Sequence, residues 1–253
     1  MSDDLLEGVQ AVPRRTMTLF LLADVSGSMR GSKIGAVNDA IRNVLPIVND
    51  INDSNADAEI KVAALTFSNG CSWVNDEPKI AADFEWVDQT AAGGTDLGAA
   101  CSELASKLSQ SHGFMKSGSG SFAPVLILLS DGGPTDDFEH GLANLKQNNW
   151  YKAAIKIAIA IGDDADLEVL AKFTGNIEMV IQVHDVESLK KVIKCVVVTS
   201  SQVGSKSSSS SAGAGAPETK QEEVGQAIAQ QLQGESNVQI GQEAANVTMD
   251  DNW

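Results

Sequence analysis

Residues Leu19 to Ser28 read Leu-Phe-Leu-Leu-Ala-Asp-Val-Ser-Gly-Ser, an apolar run that ends in an aspartate and two serines spaced D-x-S-x-S. A run without polar alternation is what a parallel strand covered on both faces requires. The polar end places Asp24, Ser26 and Ser28 on the turn that follows the strand, with Gly27 allowing the backbone to tighten. Small oxygen ligands crowded at the carboxyl end of a buried strand suit a hard divalent cation.

The same alternation continues outward from this stretch. Ile60–Phe67, Val125–Leu129 and Ile155–Ile161 are three more continuous apolar runs. Met179–Val183 reads as an edge strand and Ile80–Trp86 as a weak, short antiparallel one. Between them, apolar residues recur at helical spacing over Lys33–Asn49, Leu97–Ser111, Phe138–Gln147, Leu167–Phe173 and Val186–Val198. Pro46 is expected to kink the last turn of the first helix. The pattern predicts an α/β fold: a doubly wound, mostly parallel sheet flanked by helices, with ligands at the carboxyl ends of its strands.

Two later loops complete the candidate site. Ala92-Gly-Gly-Thr-Asp-Leu97 stands directly before a helix and offers the Thr95 hydroxyl, and Leu129-Ser-Asp-Gly-Gly-Pro134 ends a strand and offers Asp131. Each motif alone also reads as ordinary turn or helix-cap chemistry. All three in one α/β pattern point to a shared centre of two carboxylates and three hydroxyls. Such a set favours Mg2+, with Mn2+ or Ca2+ as alternatives; no His or Cys stands near it to favour zinc or copper.

With these motifs the chain resembles the von Willebrand factor A domain over roughly residues 17–198. The resemblance implies a Rossmann-like fold and a metal-ion-dependent adhesion site. Ser26, Ser28 and Thr95 resemble direct ligands, and Asp24 and Asp131 resemble groups acting largely through water. Ala-Asp-Val-Ser-Gly-Ser-Met and Ser-Asp-Gly-Gly-Pro-Thr-Asp also resemble bacterial TerY-type proteins associated with tellurite resistance. The function implied is not enzymatic: a protein-interaction module, in a stress-response setting, whose cation takes an Asp or Glu carboxylate from a partner.

Composition narrows the partners. The 253 residues carry 34 acids and 18 bases, a net charge of −16, which disfavours nucleic acid and anionic membranes. The start, Met1-Ser-Asp-Asp-Leu-Leu-Glu, lacks the pattern of a signal peptide, and no apolar run is long enough to span a bilayer. With three scattered cysteines, the expected location is cytoplasmic and the thiols are read as free and buried.

The expected organisation is an N-terminal extension (1–14), the domain (15–201), a Ser/Gly/Ala-rich linker (202–220) and an acidic, disordered tail (221–253) with a short helix near Glu222–Gln233. Asp250 or Asp251, on a tether sampling roughly 40 Å, can be imagined reaching the metal of its own domain or a neighbour's; a solubilising end or a docking peptide is the plainer alternative.

Rival motifs fail on spacing. Gly27–Lys33 is followed by Ile34 where a phosphate-binding loop needs Ser or Thr. A haloacid-dehalogenase-type phosphatase would need its second aspartate where Ser26 stands. Asp53–Asp57 resembles a calcium loop, but Ala58 and Ala64 replace its glycine and glutamate. A metal-dependent phosphohydrolase and a scaffold in a kinase or phosphatase system are the alternative functions, although His112, His140 and His184 are scattered. Trp73 and Trp86 either border the second loop or fill the core edge.

Overall fold

A computed structural model describes residues 14–56, 58–115, 120–204 and 219–241. The chain runs β1 (Arg15–Asp24), α1 (Ser32–Ser54), β2 (Ala58–Ser68), β3 (Gly70–Trp73), β4 (Lys79–Ile80) and α2 (Leu97–Lys107). It continues through β5 (Val125–Ser130), α3 (Phe138–Gln147), α4 (Asn149–Ala153), β6 (Ile155–Ile161), α5 (Leu167–Thr174), β7 (Val180–Val183) and α6 (Val186–Gly204). Helix α7 (Lys220–Leu232) and strand β8 (Val238–Ile240) complete it.

The strands form one sheet in the order β3-β2-β1-β5-β6-β7-β8, with β4 also paired to β2. Strands β2, β1, β5, β6 and β7 are mutually parallel. Strand β1 lies between β2 and β5, so the winding reverses there and opens a crevice at the carboxyl ends of β1 and β5.

Burial explains the unbroken apolarity of β1. Met17, Leu19 and Leu21 face a core built with Val37 and Ile41 of α1 and Leu189, Val192 and Val196 of α6. Phe20 and Leu22 face the opposite layer, with Leu104 of α2, Leu142 of α3 and Phe173 of α5. Alternate side chains thus enter two different cores, so from Leu19 to Ala23 both faces demand apolar residues, with Thr18 the one buried polar residue before them.

Several expected elements change at their ends. Helix α1 continues through Pro46 to Ser54 instead of ending near Asn49. Pro46 sits on its exposed side, while Val48 is buried and the Asn52 amide exchanges two hydrogen bonds with the Ile60 backbone, at 2.9 and 2.6 Å. That anchorage outweighs the loss of one helical bond. Asp53 and Ser54 are therefore helical residues rather than part of a cation loop.

Helix α2 stops at Lys107, short of Ser111, because the Asn148 amide donates to the Ala105 and Leu108 carbonyls at 3.2 and 2.8 Å. Within Ile80–Trp86 only Ile80 is strand, and a 3₁₀ turn follows at Ala81–Asp83.

The largest departure is at the carboxyl side. Strand β7 is not an edge: β8 pairs with it antiparallel, Ile181 opposite Ile240 and Val183 opposite Val238. Helix α7 buries Val224, Ile228 and Leu232 in the same core as α6. Residues 219–241, expected as the end of the linker and a tail ordered only in a short helix near Glu222–Gln233, thus cover the sheet's last parallel edge. The expected N-terminal extension, most of the Ser-rich linker and the Asp250–Asp251 end lie outside the described residues.

Because Ile228 is only 2% exposed, Ile228→Ala is expected to weaken the docking of α7 and β8 by about 2–5 kcal/mol. Faster amide hydrogen exchange in Lys220–Leu232 and Val238–Ile240 is the readout. Unchanged protection in those segments would contradict this packing.

Candidate metal centre

The reversal at β1 sets Asp24, the last residue of β1, beside Ser130, the last residue of β5. Asp24 is fully buried. Its Oδ1 accepts from the Ser26 amide at 2.8 Å and its Oδ2 from the Ser130 hydroxyl at 2.6 Å. Ser130 Oγ in turn accepts from the Gly132 amide at 2.8 Å. One carboxylate therefore fixes the first loop to the third. Burial pushes the Asp24 carboxyl above its ordinary range against the pull of the Ser130 and Ser26 bonds, and the neighbouring Asp131 charge adds to the rise.

After Asp24, a 3₁₀ turn at Gly27–Met29 is pinned by the buried Met29. It brings Ser26 Oγ to 2.9 Å from Ser28 Oγ, and Ser28 Oγ donates to Asp131 Oδ1 at 3.0 Å. Three of the five expected residues thus form one contiguous row of oxygens.

The Thr95 loop is stitched to both others through backbone. Gly27 N donates to Gly93 O at 3.0 Å and Ala92 N to Val25 O at 2.9 Å. On the other side, Thr95 N donates to Thr135 Oγ1 at 2.8 Å and Thr135 N to Thr95 O at 2.9 Å. Gly93 has φ +85°, a conformation that glycine adopts at no steric cost. Thr95 is buried, and its hydroxyl takes no hydrogen bond among the described residues.

Sequence reading missed the supporting residues. Asp96 does not cap α2 with its side chain; its Oδ2 accepts from Gly70 N at 2.6 Å. Asp136 takes the capping role, accepting from Gly98 N and Ala99 N at 2.9 and 2.8 Å. Ser130, Thr135 and Asp136 flank Asp131 in sequence, so the signal lay in the same Ser-Asp-Gly-Gly-Pro-Thr-Asp stretch.

Lys33 was not expected at the centre. Its amine reaches Asp131 Oδ2 at 3.1 Å and Asp164 Oδ1 at 2.7 Å. Burial alone would lower the Lys33 pKa, but the bonds to Asp164 and Asp131 outweigh it and hold it up. Asp131 therefore turns one oxygen to a lysine and the other to the hydroxyl row.

Other candidates stay apart from the centre. Trp73 Nε1 donates to Glu103 and its ring packs on Phe114, while Trp86 Nε1 donates to Asn38, so both serve the core edge. His112 bonds Ser111, His140 bonds Asn144 and His184 bonds Asp163. Burial raises the pKa of all three cysteine thiols, which disfavours the thiolate form that ligates metals. Among the described residues no three His, Cys, Asp or Glu side chains cluster as a metal site; the centre draws instead on hydroxyls.

The donor set fits a hard cation. An octahedron with metal–oxygen distances of about 2.0–2.1 Å has edges of about 2.9 Å. The 2.9 and 3.0 Å separations along Ser26, Ser28 and Asp131 are those of hydrogen bonds, and they let the same oxygens share a cation without moving apart. Ser28, Gly93 and Gly133 are exposed around the buried Asp24, Ser26, Thr95 and Asp131, so the row reaches the surface at Ser28.

Comparison with known proteins agrees with this architecture. Proximal thread matrix protein 1 from the mussel byssus, in a structure described as having a zinc-occupied MIDAS motif, is similar at 16% identity and a TM-score of 0.55. The match covers 73% of this chain and 48% of that one. A von Willebrand factor type A protein from Catenulispora acidiphila matches at 18% identity and a TM-score of 0.55, over 74% of this chain and 43% of its own. The pilus adhesin SpaC from Lactobacillus rhamnosus GG, in an open conformation, matches at 15% identity and a TM-score of 0.53, over 70% of this chain and 29% of its own. The chain thus spans under half the length of these structures, and at such identities the likeness shows the fold alone. No curated protein sequence matches. The family model of the von Willebrand factor type A domain matches residues 18–194, and the chain belongs to that family.

Proposed function

We propose that the protein is a divalent-cation-dependent interaction module, with Asp24, Ser26, Ser28, Thr95 and Asp131 as the cation centre. Domains of this family are known for metal-dependent protein interactions. The observation that carries the reading is the convergence of Ser26, Ser28 and Asp131 oxygens from two separate loops into one row beside the buried Asp24. Mg2+ is the proposed ion, with Mn2+ or Ca2+ as substitutes. When bound, the cation supplies a Lewis-acidic position that a partner's Asp or Glu carboxylate can fill.

The chain's own groups do the rest. Asp24, held by Ser26 and Ser130, fixes the geometry of the first loop before any ligand arrives. Lys33 occupies Asp131 Oδ2 and leaves Oδ1 directed at the hydroxyls. The exposed Ser28 edge gives a partner's carboxylate access to the row.

This supports binding rather than phosphate hydrolysis. Ser26 and Ser28 bond to each other, Ser28 donates to Asp131, and each histidine is engaged elsewhere, so neither serine is paired with a histidine base. A bacterial stress-response setting and a cytoplasmic location rest on the TerY-type resemblance and on composition. Among the described residues no helix is long and apolar enough to cross a membrane.

Calorimetric titration with magnesium is expected to show one cation per chain, and Asp24→Ala to lose at least about tenfold in affinity. A pull-down made in magnesium and eluted with chelator should release partners from the wild type and none from Asp24→Ala. Capture indifferent to both changes would reject the reading.

The raised Asp24 pKa adds a pH signature. A carboxyl raised on folding contributes stability that is present below its unfolded value and is lost as pH climbs through its folded value. Cation-free protein should lose stability over that interval, Asp24→Asn should not, and magnesium should restore it, because the cation takes the place of the proton. Denaturant titrations across pH, with and without magnesium, measure this. Parallel curves for wild type and Asp24→Asn would contradict it.

A further inference from the structure

At the end of the sheet remote from the cation centre, the start of β6 and the adjoining parts of α3, α4, α5 and α7 border an open cavity of about 1230 Å³. Five lysines line it: Lys146, Lys152, Lys156, Lys172 and Lys220. That is five of 18 basic residues gathered in a chain of net charge −16. Lys172 is paired with Glu139 and Glu168. Lys146, Lys152 and Lys156 have no carboxylate partner among the described residues. The Lys156 amine donates only to the Tyr151 and Ala154 carbonyls, at 3.3 and 2.9 Å, and burial pulls its pKa down to about 8.

Three carboxylates also line the cavity. Glu168 answers Lys172, Glu222 closes the capping box of α7 with Thr219, and Glu178 remains. The lining thus sets five lysines against three carboxylates, an excess of positive charge on an otherwise acidic chain.

The chain supplies a candidate at the right place. Strand β8 runs antiparallel to β7, so it descends from the cation end of the sheet toward the cavity end. It leaves through Gly241, whose amide donates to Val180 O at 2.8 Å and where an added Cβ would strike the Ile177 carbonyl. Ile177 and Glu178 both line the cavity. The next twelve residues, 242–253, carry Glu243, Asp250 and Asp251 and no base, beside the apolar Val247, Met249 and Trp253. Twelve residues reach at most about 40 Å, ample for a cavity that begins beside their origin. The segment 205–218, which precedes Thr219 in the chain, carries Lys206 and Glu218 and so offers no net complement.

We propose that the lysine-lined cavity receives the chain's own segment 242–253, with Glu243, Asp250 and Asp251 set against Lys146, Lys152 and Lys156. This assigns the acidic end to a basic site on the far side of the sheet from the cation centre, in place of self-capture by the metal. It does not depend on the proposed cation function.

Zero-length carbodiimide coupling on the full chain, read by peptide mass spectrometry, tests it. Amide links from Asp250, Asp251 or Glu243 to Lys146, Lys152 or Lys156 are expected. A mixture of light and heavy isotope-labelled protein should place those links within one chain. Links only between chains, links to Lys33 at the cation centre, or no links from the segment would each overturn the assignment. As a second readout, Glu243→Gln, Asp250→Asn and Asp251→Asn combined should raise the amine-labelling rates of Lys146 and Lys152 several-fold, leaving Lys61 and Lys79 unchanged. Equal rates at Lys146 and Lys152 in the two proteins would also overturn it.

Discussion

A carboxylate with no solvent exposure ends the central strand of this sheet, and the placement of the surrounding loops follows from it. Asp24 can stay there only if both oxygens are answered, and they are: the Ser26 amide takes one and the Ser130 hydroxyl the other. Those bonds draw the first and third loops together, and backbone bonds from Gly27 and Thr135 then trap the Thr95 loop between them. The hydrogen bonds do not fully offset burial, since the Asp24 carboxyl still sits above its ordinary range. A nearby positive charge is the usual remedy for a buried carboxylate. Lys33 supplies one to Asp131 instead, so Asp24 itself is left without a direct cationic partner among the described residues.

How much of this could be read from sequence depended on how local the signal was. The four central strands were legible because burial on both faces forces continuous apolarity, as in Leu19–Ala23 and Val125–Leu129. The clustering of Ser26, Ser28 and Asp131 was legible from their motifs, each at a turn that follows an apolar strand; the structure brings them together because the winding reverses at β1, which makes β5 its neighbour. Helix ends were not legible where a distant residue sets them. Asn148 stops α2 from forty residues away, and Asn52 holds the end of α1 by bonding β2.

The carboxyl side shows the same limit. Three residues, Val238–Ile240, are too short a strand to announce themselves, and their pairing with β7 follows a low-complexity stretch that reads as the end of the domain. A usable signal did exist. Thr219 and Glu222 stand three apart ahead of Val224, Ile228 and Leu232, the spacing of a capping box before an apolar face, and both halves of that box form. Lys33 carried no comparable signal, because a lysine in the first turn of a helix reads as solvated until Asp131 and Asp164 are seen to converge on it.

The two ends of the sheet carry opposite chemistry. At the carboxyl ends of β1 and β5, hydroxyls and carboxylates assemble an oxygen-rich centre at the surface; at the amino end of β6, lysines collect on an otherwise acidic protein. The first of these is the central claim, and anomalous diffraction from crystals grown with manganese tests it most directly. The account predicts one strong peak within coordination distance of Ser26 Oγ and Ser28 Oγ, beside Thr95 and Asp131. A map with no peak there, or with manganese bound only at other places, would contradict it.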